Sequence, residues 1–232
     1  MKAPRIILAL GVSLAAFSAL HADNSFGRQW MDNYSQNPRP DDLVTAVVSL
    51  NNEGYFDTAA QRDAAIGFLS TVFQQNPQAV DHWLSAGARV LPEQSQRILA
   101  AAAWFAGNPA AQRPLENLSE GTSEHVAVEQ MLASGSSSTV VEIPVHSVAA
   151  MNMQWGAFLA SGDQRYIQNV FLALGSDQPG LATTARYALA QRAAVDPRVM
   201  AICQQELASE PTSVAAEFRA TLNQVSGQRP GA

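Results

Sequence analysis

Over most of this chain, bulky apolar side chains recur three and four residues apart inside segments of 12 to 18 residues, and proline or glycine punctuates the segments. That spacing puts apolar groups on one face of an α-helix, whereas a half-buried strand alternates every second residue. In 58–75 the stripe is Ala65, Ile66, Leu69, Val72 and Phe73, with Thr58 and Gln61 spaced to close a capping box. In 78–89 it is Val80, Trp83, Leu84 and Gly87, and in 93–106 it is Ile98, Ala101, Ala102 and Phe105. Later come Val148, Met151, Trp155 and Phe158, a Gly162-Asp163 reversal, then Tyr166, Ile167, Val170, Phe171 and Leu174. Each of these runs is expected to bury one stripe.

Five X-Pro pairs stand between runs: Asn37-Pro38, Asn76-Pro77, Asn108-Pro109, Asp196-Pro197 and Glu210-Pro211. Proline cannot extend the helix before it and fits the first turn of the next. Short connections of this kind make consecutive helices antiparallel neighbours. The predicted fold is therefore all-α: stacked antiparallel helical hairpins, α-solenoid-like. Residues 134–138, SGSSS, have a linker composition, and the TVVEIPVH that follows is β-branched and lacks a second strand to pair with. We read 134–146 as a linker with an extended crossing segment near 139–146. It separates an N-terminal helical half, 23–133, from a C-terminal half, 147–226, with a disordered tail at 227–232.

Lys2 and Arg5 precede an uncharged, mostly apolar run from Ile6 to Leu20 that ends in small residues, the pattern of a secretory signal peptide spanning 1–22. Fifteen residues are short of the roughly 20 that span a bilayer, so no membrane helix is expected to remain after cleavage. The expected location is the periplasm or the medium. Cleavage would leave 12 arginines against 20 acids, near −8, and no lysine, because Lys2 is the only one. Scattered arginines on an acidic chain offer no footprint for nucleic acid. The missing amine excludes Schiff-base chemistry and the phosphate-binding lysine of a P-loop.

The remaining chemistry is sparse. His125 and Glu129 are four residues apart, as two metal ligands on one helix face would be, but a third ligand is not evident. His82 adjoins Asp81 beside the Trp83 stripe, and His146 closes the crossing segment. The single cysteine, Cys203, shares an apolar face with Val199, Ile202 and Leu207, the setting of a packed thiol rather than a nucleophile. GTSEH at 121–125 lacks the last glycine of a nucleophile elbow. No cofactor, metal or catalytic residue is assigned. Trp30 and Trp104 are the binding candidates, because they stand apart from the stripes; Trp104 projects about 100° around the helix from Phe105.

Phe158, Gly162, Phe171 and Pro179 fall where the tetratricopeptide repeat, a stacked hairpin of about 34 residues, carries an aromatic, a glycine, an aromatic and a proline. The C-terminal half resembles that repeat, although Trp155, Ile167 and Leu174 replace its small residues. WMDNYSQNPRPD, IGFLSTVFQQNP, WGAFLASGD and ARYALAQ, spread from Trp30 to Gln191, resemble segments of a group of exported bacterial α-helical proteins with no assigned activity. The resemblance implies an exported bacterial helical protein. With the chemistry above, the expected function is a periplasmic scaffold binding a protein or peptide, of adaptor or immunity type. The alternatives are a hydrolase of an envelope polymer or ester with carboxylates assembled by the fold, and a carrier of a small apolar ligand.

Overall fold

The computed structural model describes residues 25–121, 128–129, 132–133 and 139–227. The expected signal peptide, His125, the 134–138 linker and residues 228–232 lie outside the described residues. The helices are α1 (Phe26–Asn33), α2 (Leu43–Asn52), α3 (Ala59–Gln75), α4 (Val80–Val90), α5 (Glu93–Phe105), α6 (Gln112–Ser119), α7 (Val148–Ser161), α8 (Gln164–Leu172), α9 (Pro179–Ala193), α10 (Pro197–Leu207) and α11 (Thr212–Gly227). Among the described residues there is no strand, and no helix is long and apolar enough to cross a membrane. The helix α11 takes in Gly227, the first residue expected in the tail.

The punctuation works as the residue types require. Pro77 and Pro109 open short 3₁₀ turns that lead into α4 and α6, and Pro197 begins α10. Asp196 caps α10 by accepting from the Arg198 N–H at 2.9 Å, and Asp163 caps α8 through the Arg165 N–H at 3.0 Å. Gly162 ends α7 in the left-handed conformation, φ 71°, where a side chain would be strained. Thr58 caps α3, but its hydroxyl donates to Gln61 Oε1 at 2.6 Å, so Gln61 does not close the box through the Thr58 N–H.

Two apolar clusters form the core. One gathers Trp30, Leu43, Phe68, Phe73, Trp83, Leu99 and Leu115 from the first six helices; the other gathers Trp155, Phe158, Ile167, Phe171, Leu189, Val199 and Phe218 from the last five. They meet where α3 and α7 cross, the most extensive helix pair among the described residues. At the crossing the backbones touch. A methyl group on Gly67 would coincide with the Met153 carbonyl, and one on Gly156 with the Ala64 carbonyl.

The expectation of one buried stripe per helix fails for both of these helices. In α3, Ala64, Gly67, Phe68, Ser70 and Thr71 are buried along with Leu69, Val72 and Phe73, because α5 covers one side and α7 the other. In α7, residues 150–158 are all buried, while Val148, placed on the stripe by its spacing, is 46% exposed. The buried hydroxyls of Ser70 and Thr71 both return to the Gly67 carbonyl, at 2.9 and 3.1 Å, so neither is left unpaired.

Replacing Gly67 or Gly156 by Ala forces the two backbones apart and is expected to cost at least about 3 kcal/mol in urea unfolding, the upper range for overpacking. Gly180→Ala, in α9 where an added methyl meets nothing within 4 Å, is expected to be neutral or to stabilise by up to about 1 kcal/mol.

The cap at Asp196 is sensitive to pH. Burial pushes its carboxyl up, but hydrogen bonds from Arg198 outweigh this and hold it below the usual carboxylate range. A folded-state value below the unfolded one stabilises above the unfolded value and is lost as pH falls through the folded one. Asp196→Ala is therefore expected to cost about 1 kcal/mol at pH 7, with the gap from the parent chain narrowing below about pH 4.

Candidate functional site

The crossing segment is built from the side chains of the two helices that follow it. Thr139 and Glu142 close a capping box around a 3₁₀ turn at Val140–Glu142, with the Thr139 N–H donating to Glu142 Oε2 at 3.0 Å. The chain then runs through Ile143 and bends at Val145, where the His146 N–H donates to the Pro144 carbonyl at 2.9 Å. Gln154 of α7, fully buried, donates to the Val140 carbonyl at 2.7 Å and the Ile143 carbonyl at 3.0 Å. Asn169 of α8 donates to the Val141 carbonyl at 2.8 Å, and its amide also lies 3.3 Å from Gln154 Oε1. Two amide side chains thus hold three carbonyls of a segment that has no ladder partner. A buried amide is costly unless satisfied, so this clamp fixes the segment in one place.

Between the clamped segment and the end of α8 lies an open groove of about 450 Å³. Val145 and Ala173 form its buried floor, and Pro144, His146 and the turn Gly175–Gln178 its rim. Leu172, 74% exposed, stands on the edge and is the most exposed large apolar side chain among the described residues. Asp177, also exposed, has no hydrogen bond or ion pair with another described residue, and no arginine lines the groove.

The two tryptophans singled out by sequence lie elsewhere. Trp30 is 2% exposed: its indole donates to the Arg39 carbonyl at 2.9 Å, and its ring stands edge-on to Tyr34 and Phe68 at 5.0 and 5.2 Å. Trp104 is 5% exposed, its indole N–H unpartnered among the described residues. Both belong to the first core cluster, so the reading of them as binding residues is corrected: helix faces off the main stripe are covered by second neighbours, as α5 is by α3 and α6. His82 is exposed on α4, and His146 is at the groove rim. Glu129 lines a second open groove with Glu116 and Glu120. Among the described residues, no three His, Cys, Asp or Glu side chains are grouped to hold a metal.

Cys203 is fully buried on α10, and burial, then the charge of Glu206, pushes its thiol up to about 12. It is a packed hydrophobe. The densest set of perturbed groups spans the two halves. Burial raises the Asp32 carboxyl against the opposing pull of Arg192 and Arg28, and burial lowers Arg192 against Asp32, Tyr55 and Asp196. Tyr55 is pushed up to about 12 by burial and the neighbouring Asp32. Close by, Arg28 pairs with Glu53 at 3.4 Å, and Arg198 reaches Ser35 at 3.4 Å while its guanidinium lies over Phe158. Arg192 of α9 faces Asp32 of α1, and Arg198 of α10 reaches Ser35 just after α1, across the two halves.

The groove residues carried a faint signal. Leu172 is an apolar residue off the stripe of its own helix, whereas the roles of Gln154 and Asn169 depend on contacts distant in sequence.

The fold defines a stack of α-helical hairpins whose halves cross at paired glycines, with a clamped segment beside an open groove. Comparison with protein families, with curated proteins and with solved structures finds no match to the chain.

A fully buried thiol pushed up to about 12 is expected to resist alkylation in the folded protein at pH 8. Iodoacetamide should modify Cys203 only slowly, and within minutes once urea has unfolded the chain. Equal rates in the two states would contradict its burial.

Proposed function

We propose that the chain is an exported, periplasmic helical scaffold that binds a protein or peptide partner in the groove between residues 144–146 and 172–178. The observation that carries this reading is the amide clamp. A fully buried glutamine and a half-buried asparagine spend their hydrogen bonds on holding one wall of an open groove, and preorganised walls are what a binding site requires. The volume falls within the roughly 300–1,000 Å³ of known ligand sites. Exposed Leu172 supplies an apolar contact at its edge, the kind of surface feature that marks interaction sites when it adjoins a concavity. The groove opens to solvent, which suits a partner's projecting side chains better than a small apolar ligand carried in a closed cavity.

The test is photo-cross-linking in the exporting cell with a benzophenone amino acid in place of Leu172, and in place of Val90 and Val195 for comparison. Those two are also exposed apolar positions, at 60% and 46%, on α4 and after α9. The expected result is a discrete covalent adduct at the Leu172 position alone. No adduct there, or the same set from all three positions, would overturn the reading. Amine-directed reagents would be a poor choice, since Lys2 is the only lysine in the chain.

A further inference from the structure

Resting on that reading of the groove, we infer that its partner presents a cationic side chain next to a branched apolar one, in an exposed loop or chain end. Two features of the groove specify this chemistry separately. The floor and edge are apolar, with Val145 and Ala173 beneath and Leu172 standing out at 74% exposure, so a Leu, Ile or Val of the partner removes apolar surface from water on both sides. The rim carries the acid Asp177, exposed and unpaired among the described residues; no arginine is in the lining, and His146 is the groove's other titratable side chain.

The surroundings reinforce the sign. The whole chain has a formal charge of −6, and the acids that cap helix starts, Asp163 and Asp196, are already paired with Arg165 and Arg198. Asp177 differs from them in having no such neighbour. A cation arriving at the groove therefore meets an uncompensated carboxylate within an acidic field, which steers like-charged partners away and favours basic ones. A single exposed ion pair contributes little affinity. The apolar contact accordingly supplies most of the binding, and the charge supplies discrimination.

The probes are acetylated, amidated pentapeptides with Leu-Arg or Arg-Leu at the centre, compared with Leu-Glu and Ser-Arg versions, added to the mature chain while the backbone amide NMR signals of 145–146 and 172–178 are followed. Saturable shifts confined to these residues are expected with the Leu-Arg pair, weakened about fivefold or more in the Leu-Glu version and by rising ionic strength. Leu172→Ser is expected to weaken binding about tenfold. Asp177→Asn should weaken it about two- to fivefold for the Arg peptides alone. Both positions are exposed, so the fold is not at risk. Equal affinity for Arg and Glu peptides would overturn the charge assignment. No shift at the groove with any peptide would overturn the inference as a whole, and a Leu172 cross-link that still forms would then leave the wider groove reading standing.

Discussion

The close approach of α3 and α7 is the constraint from which the rest of the architecture follows. With no side chain at Gly67 or Gly156, each helix lays its backbone against a carbonyl of the other. Helices usually pack 8–10 Å apart, and small residues at the contact set the lower end of that range. The short separation lets both helices be covered on further faces, α3 by α5 and α7 by α8. Two apolar clusters that would otherwise be separate cores thereby share a wall, with Ile66 and Phe105 packed against both. Charged groups finish the junction at the periphery, where Arg192 and Arg198 face Asp32 and Ser35 across the two halves.

The groove is a consequence of this arrangement. Because α7 is buried along most of its length, the chain entering it must pass over the outside of the C-terminal half, where it has no strand to pair with. Gln154 and Asn169 take up its carbonyls instead. The segment is held a fixed distance from the end of α8, and the space left between them is the candidate site. The scaffold and the surface it presents are thus linked through α7, whose inner face meets Gly67 and whose Gln154 reaches the crossing segment.

Much of this was legible in the residues. The three- and four-residue spacing and the X-Pro pairs specify helices in hairpins, and the β-branched run before Pro144 marks the one place where the helices break. What the spacing hides is burial on a second face. Gly67, Ser70, Thr71 and Gly156 look neutral in a stripe analysis, since small residues carry weak apolar signal, yet they line the tightest contact. Trp30 and Trp104 were misplaced for the same reason: lying off one stripe says nothing of a second neighbour. Gln154 and Asn169 resemble surface residues until the fold brings carbonyls to them. Leu172 was the exception, its exposure implied by its angle on the helix, although nothing local shows that a groove adjoins it.

Native-state hydrogen exchange tests the central claim that one glycine-mediated crossing makes the two halves a single cooperative structure. The account predicts that amides of 68–73 in α3 and 153–158 in α7 are the slowest to exchange, with the same opening free energy and the same denaturant dependence, equal to those of global unfolding. Distinct opening free energies for the two sets, with one half exchanging while the other stays protected, would contradict it.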